Sequence, residues 1–156
     1  LPSVGKTLPD MLHTSWPEDK PYWKFAPKGA SEDIFFLTTM NKAEEFRGII
    51  TALASKYDYP THELGFYVQP MVYGGTCHFE CNLFYNAADA DEVKAVSAIR
   101  LEAAQAIQDA GGLFSRPYGP VADIVFGRTS TYTATLKKLK KTLDPNDVLS
   151  PGRLCF

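Results

Sequence analysis

The sequence predicts an α+β domain, an antiparallel sheet of four strands with two helices on one face and a helical extension behind it. Three observations carry this expectation. The hydrophobic period switches between two and about 3.6 in the order strand, helix, strand, strand, helix, strand. Gly74-Gly75 separates two alternating runs, the mark of a tight hairpin. Gly111-Gly112 ends the second helical stretch just before a last short apolar run.

Each element has its own justification. Ser31-Glu-Asp leads into Ile34-Phe-Phe-Leu-Thr-Thr39, a short apolar run of strand type. Asn41 is a natural helix N-cap, and Glu44 completes a capping-box-like pair. Ala43, Phe46, Ile50 and Leu53 then recur at helical spacing, with Ile49 and Ala54 widening the stripe, until Asp58-Tyr-Pro60 stops it. Residues 64–73 alternate as a strand, and residues 76–85 form the return strand. Asn86-Ala-Ala-Asp89 turns the chain into a helix with Val93, Val96, Ile99, Ala103, Ile107 and Ala110 on one stripe. Leu113-Phe-Ser-Arg116 is the expected fourth strand, closed by Pro117. This is the βαββαβ order called ferredoxin-like, with one sheet face packed by helices and the other left to meet something else. Beyond it, residues 121–126 predict a short helix and residues 129–143 a longer one, whose apolar side carries Tyr132, Leu136, Leu139 and Leu143. Lys137, Lys138, Lys140 and Lys141 occupy its remaining arc and read as a solvated face near a negative helix end.

Composition narrows the function classes. With 156 residues, 45% of them hydrophobic and 22% charged, the chain is one folded domain and not a disordered segment. Sixteen Lys and Arg stand against eighteen Asp and Glu, so no global positive field draws nucleic acid or anionic lipid. No apolar run approaches the roughly 20 residues of a membrane span. Residues 1–30 hold five of the eleven prolines together with Trp16, Tyr22, Trp23 and Phe25, and lack the charged start and apolar core of a signal peptide. They are expected to be a connecting arm cut from a longer polypeptide, followed by the domain at 31–117 and the helices and tail at 118–156. An odd cysteine count (Cys77, Cys81, Cys155) points to a reducing, cytoplasmic compartment. Cys77 and Cys81 lie four apart, but on a strand that places them about 13 Å from each other, so they read as buried structural thiols and no metal site is expected.

Alternation on the return strand separates two faces. Cys77, Phe79, Cys81, Leu83 and Tyr85 belong against the helices; His78, Glu80, Asn82 and Phe84 face away, each about 7 Å from the next along the strand. Ordinary solvation of an exposed face explains that row; a His within reach of a Glu also suits an oriented acid/base group or an anion-binding one. The preceding strand adds Tyr67, Gln69, Met71 and Tyr73, an aromatic and polar floor that suits a planar ligand or a domain interface. His13 and His62 sit in turn-like surroundings and read as surface residues.

The chain ends Leu143-Asp-Pro-Asn-Asp-Val-Leu-Ser-Pro-Gly-Arg-Leu-Cys-Phe156, and Gly112-x-x-x-Arg-Pro-Tyr-Gly precedes it. Together with the strand and helix order, these motifs resemble the C-terminal cap, or substrate, domain of FAD-linked oxidases of the vanillyl-alcohol oxidase and 4-cresol dehydrogenase type. The similarity runs from about Ser31 to the end. The Gly-Glu-His-Gly motif of the glycolate and D-lactate dehydrogenase branch is absent. The resemblance implies hydride transfer from a small alcohol, phenol or hydroxy acid to a flavin. The FAD is held by a separate domain of roughly two hundred residues, in the same polypeptide or in another subunit. No Gly-rich loop here opens a helix as pyrophosphate binding needs. The implied roles are acid/base for His78, a fixed cation at the flavin or a substrate anion for Arg116, and a hydrogen bond to substrate oxygen for Tyr118. Tyr67, Gln69, Glu80 and Asn82 are implied substrate contacts, with Glu80 and Asn82 orienting His78, and Arg153 is implied near the flavin's polar edge. A severed cap also exposes an apolar patch that a homodimer can hide. The competing class is a non-enzymatic ferredoxin-like module that binds a small molecule or partner through the same face.

Overall fold

A computed structural model describes residues 19, 22–71 and 74–156. The described residues form an α+β fold, with a three-stranded antiparallel sheet and four α-helices. In chain order these are β1 (Ala30–Thr39), α1 (Ala43–Lys56), β2 (Gly65–Pro70), β3 (Thr76–Tyr85), α2 (Ala90–Asp109), α3 (Pro120–Gly127) and α4 (Ser130–Leu143). The sheet order is β1-β3-β2, so the return strand lies in the middle, with Phe36 opposite Phe79 on one side and Val68 opposite Phe79 on the other.

The core lies between the sheet and its helices. Ile34 and Phe36 of β1 and Phe79, Cys81 and Leu83 of β3 are buried on one face, as the period of two requires. Against them pack Phe46, Ile50 and Ala54 of α1 and Val96, Ile99, Ala103 and Ile107 of α2. Phe36 is the centre, with ring centroids 4.8 Å from Phe46 and 5.1 Å from Phe79. Val121 of α3 joins the same core, with Ile124 and Val125 packed against it. Asp89 caps α2 by accepting from the amides of Asp91 and Glu92. Burial pushes the Cys81 thiol up to about 12 and raises that of Cys77 too, so neither is a ready nucleophile.

Several elements depart from the sequence reading. β1 begins at Ala30, because Ser31, Glu32 and Asp33 continue the ladder opposite Phe84, Leu83 and Asn82. Asn41 does not cap α1. Met40–Lys42 forms a 3-10 turn, and Lys42 holds the cap position without a side-chain hydrogen bond. Glu44 pairs with Arg47 one turn on. β2 ends at Pro70, which has no N–H for a ladder; the strand expected to run through Val72 and Tyr73 reaches residues outside those described. Val93, expected on the core stripe of α2, is exposed in the first turn. Most of the expected fourth strand is absent. Leu113 makes a single antiparallel bridge to Leu37, with N···O distances of 2.8 and 2.9 Å, after which Ser115 and Arg116 bend away toward Pro117. Proline lacks the N–H that a continuing ladder would need. His62 is exposed in a short turn, whereas His13, Trp16 and most of the expected arm lie outside the described residues.

Gly112 is the most closely packed of the described glycines. A Cβ there would stand 2.4 Å from Ile107 Cγ2 and 3.0 Å from Phe36 Cδ2. Gly112→Ala is therefore expected to lower stability by about 1–3 kcal/mol, read as an earlier urea midpoint at unchanged slope.

Candidate functional site

The helix-free face of the sheet carries Asp33, Phe35 and Leu37 from β1, His78, Glu80 and Asn82 from β3, and Tyr67 and Gln69 from β2. The ladder sets Tyr67 opposite Glu80 and Gln69 opposite His78, with Phe35 opposite Glu80 on the other side. Aromatic rings tie the row together. His78 lies 6.1 Å from the Phe35 centroid and 6.3 Å from that of Tyr67, edge-on to the latter.

The segment before β1 brings Lys24 onto this face. The Lys24 ammonium donates to Asp33 Oδ2 and to Glu80 Oε1, both at 2.6 Å. Asn82, itself buried, donates from Nδ2 to Asp33 Oδ1 and Glu80 Oε1, each at 2.7 Å. The other Glu80 oxygen, Oε2, is 3.3 Å from His78 Nε2. Desolvation alone would lift the Glu80 carboxyl, but the bonds from Lys24, Asn82 and His78 outweigh it and hold Glu80 below the usual carboxylate range. Desolvation likewise opposes the Lys24 charge, and Asp33 and Glu80 overcome it, so Lys24 is raised.

Beside this row, at the outer edge of β1, an open groove of about 430 Å³ is lined by Phe35, Arg116, Pro117, Tyr118, Arg153 and Leu154. Arg116 is exposed, its guanidinium carbon 5.4 Å from the Phe35 centroid. The Tyr118 ring stacks on the Phe35 ring at 6.4 Å. Its hydroxyl points elsewhere, donating to Glu32 Oε1 at 3.0 Å, while Arg100 covers the ring and pairs with the same carboxylate at 2.9 Å. Burial, then the Glu32 charge, raises the Tyr118 phenol. A groove lined by two arginines, one of them over the Phe35 ring, suits a planar anion.

Arg153 reaches the groove because the tail is folded. Lys140 of α4 pairs with Asp144, with Asp147 at 2.9 Å and with the Leu149 carbonyl at 2.5 Å. Asp144 also accepts from the amides of Val148 and Leu149 at 2.9 and 2.8 Å. Lys140 foremost, then these two amides, depress Asp144 from 3.8 to about 2. Ser150, Gly152 and Leu154, on either side of Arg153, all have left-handed φ values of 49°, 71° and 56°.

The residues singled out from sequence thus fall in two adjoining groups joined by Phe35: His78, Glu80, Asn82, Tyr67 and Gln69 on the sheet face, and Arg116, Tyr118 and Arg153 around the groove. Asn82 and the Tyr118 hydroxyl are engaged within the chain. Lys24, Asp33 and Phe35 were not foreseen as members of the site. Phe35 and Asp33 were findable, since they share the parity opposite to Ile34 and Phe36; nothing local in the sequence brings Lys24 to Glu80. Compared with family models, with curated proteins and with solved structures, the chain matches none.

Two outcomes are expected. Tyr118→Phe should lower stability by about 1 kcal/mol, the usual worth of one hydrogen bond, without weakening benzoate binding to the groove in an NMR titration. Asp144 has a depressed folded-state value, so its stabilisation of the tail is full above 3.8 and lost as pH falls toward about 2. The amide resonances of Val148 and Leu149 should accordingly titrate together near the lower value.

Proposed function

We propose that this chain is the substrate-binding cap domain of an FAD-dependent oxidoreductase, one that transfers a hydride from a small alcohol, phenol or hydroxy acid to flavin. The observation that carries the reading is the groove lined by Arg116, Arg153 and the Phe35 and Tyr118 rings, with His78 and Glu80 on the far side of Phe35. It is supported by the tail motif and by the sheet. The isolated Leu113–Leu37 bridge lies on the side of β1 away from β3, where a ferredoxin-like sheet would carry its fourth strand, and supports that finer reading of the three-stranded sheet.

The donor set fits one part of the cofactor. Guanidiniums beside a Phe face suit the polar edge of an isoalloxazine, where Arg116 and Arg153 would meet it. Among the described residues the glycines at 74–75 join strands and those at 111–112 follow a helix end, so the pyrophosphate needs a domain supplied by the same polypeptide or by a separate subunit. The flavin, when bound, supplies the hydride acceptor. This chain's part is to orient a planar substrate on Phe35 and Tyr67, offset its negative charge with Arg116, and take a proton at the His78 imidazole while Glu80 holds the ring. Gln69 completes the polar floor, and the buried Asn82 acts beneath it by holding Glu80 and Asp33.

A homodimer through the exposed apolar surface and a cytoplasmic location belong to the same proposal. Among the described residues no helix is long and apolar enough to cross a membrane. One observation favours the second reading, a non-enzymatic ferredoxin-like binding module: Lys24 already covers the centre of the helix-free face.

Joining the chain to the flavin-holding domain of its parent polypeptide separates the two. The cap reading expects a yellow protein that retains FAD and is reduced by substrate, with Arg116→Ala slowing flavin reduction at least about tenfold. A colourless product that binds benzoate all the same would leave the module. Unchanged reduction in Arg116→Ala would make that residue structural.

A further inference from the structure

We propose that Lys24 is a positioning residue that fixes which nitrogen of the His78 imidazole carries the proton, and so which one is left to act as base. The inference rests on the reading of His78 as the site's acid/base group.

The argument is one of donors and acceptors. Glu80 uses Oε1 to accept from Lys24 and Asn82 and turns Oε2 to His78 Nε2. An ionised carboxylate only accepts, so a contact at 3.3 Å is a hydrogen bond only if Nε2 bears the proton. The neutral ring then keeps its lone pair on Nδ1. A protonated Glu80 could instead donate to Nε2 and reverse the assignment.

Lys24 is the cation that favours the ionised Glu80, and together with the Asn82 amide it holds Oε1 so that Oε2 turns to His78. The charged and titratable groups around the pair are Asp33 on β1, Tyr67 on β2, Lys24 on the segment before β1, and Arg116 across the Phe35 ring. Asp33 and Glu80 share the Lys24 ammonium and the Asn82 amide. Without the ammonium, two half-buried carboxylates face one neutral amide, and like charge favours protonating one of them.

The test needs no flavin, so it stands apart from the cap reading. Nitrogen-15 correlation spectra of the imidazoles in the 156-residue chain report the tautomer of the neutral ring directly. The expected result is an Nε2–H pattern for His78 in the unmodified chain, loss of that pattern in Lys24→Met, and its return in Lys24→Arg. Glu80→Gln, whose amide can donate, is expected to move the proton to Nδ1. That variant leaves Lys24 and its bond to Asp33 in place, and it carries the test alone if Lys24→Met loses its dispersed amide spectrum. An Nδ1–H pattern in the unmodified chain, or an unchanged Nε2–H pattern in folded Lys24→Met or in Glu80→Gln, overturns the proposal.

Discussion

Everything in this domain depends on the alternation of β3. As the middle strand it pairs on both sides, so each of its side chains must commit to one face. Cys77, Phe79, Cys81 and Leu83 go to the helices and are buried; His78, Glu80 and Asn82 go to the other face. A register slip of one residue would exchange these sets, putting an imidazole and a carboxylate under Phe36 and Phe46. Burying such groups unpaired costs several kcal/mol each, far more than a strand pairing returns. The core therefore fixes the site. The Phe36, Phe46 and Phe79 cluster that stabilises the fold also dictates which polar groups stand together on its far side.

That far side sets a second condition. Asp33 and Glu80 are diagonal neighbours across the β1–β3 ladder and are half-removed from water, and a cation between them offsets their repulsion. An exposed ion pair is worth little. Here Lys24 serves two carboxylates, and Asn82 accounts for two further lone pairs, so removing any one member strands the rest. The segment before β1 is thereby bound to the sheet through electrostatics, with the Tyr22, Trp23 and Phe25 rings left at the surface.

Legibility in the sequence followed the range of the interactions. The two long helices, the hairpin strands and the facing of β3 rest on local period and turn chemistry, and they stand within a few residues of where the pattern put them. The capping role of Asn41 failed because Met40 bonds across to Gly75, a tertiary contact that draws the chain into a 3-10 turn first. The fourth strand shrank to one bridge ahead of Pro117, which has no N–H to donate to a ladder, a local signal that the apolar Leu113-Phe114 pair obscured. Residues on the sheet face were legible by parity. Lys24 was not, because its position follows from a chain reversal spanning 56 residues to Glu80.

The groove's charge is inseparable from the folding of the tail. Arg116 is fixed by its place after the Leu113 bridge, but Arg153 lies on a segment without helix or strand. Asp147, Ser150 and Leu154 are non-glycine residues in left-handed conformations, each costing on the order of 1 kcal/mol or more. That strain persists only if something over-determines the turns. Lys140 does so by meeting Asp144, Asp147 and the Leu149 carbonyl at once, while Asp144 collects the two amides that follow. One lysine on α4 thus holds a second guanidinium at the groove, much as Lys24 holds the carboxylate beside His78. In both places a single ammonium, unremarkable in the local sequence, turns a loop into part of the site.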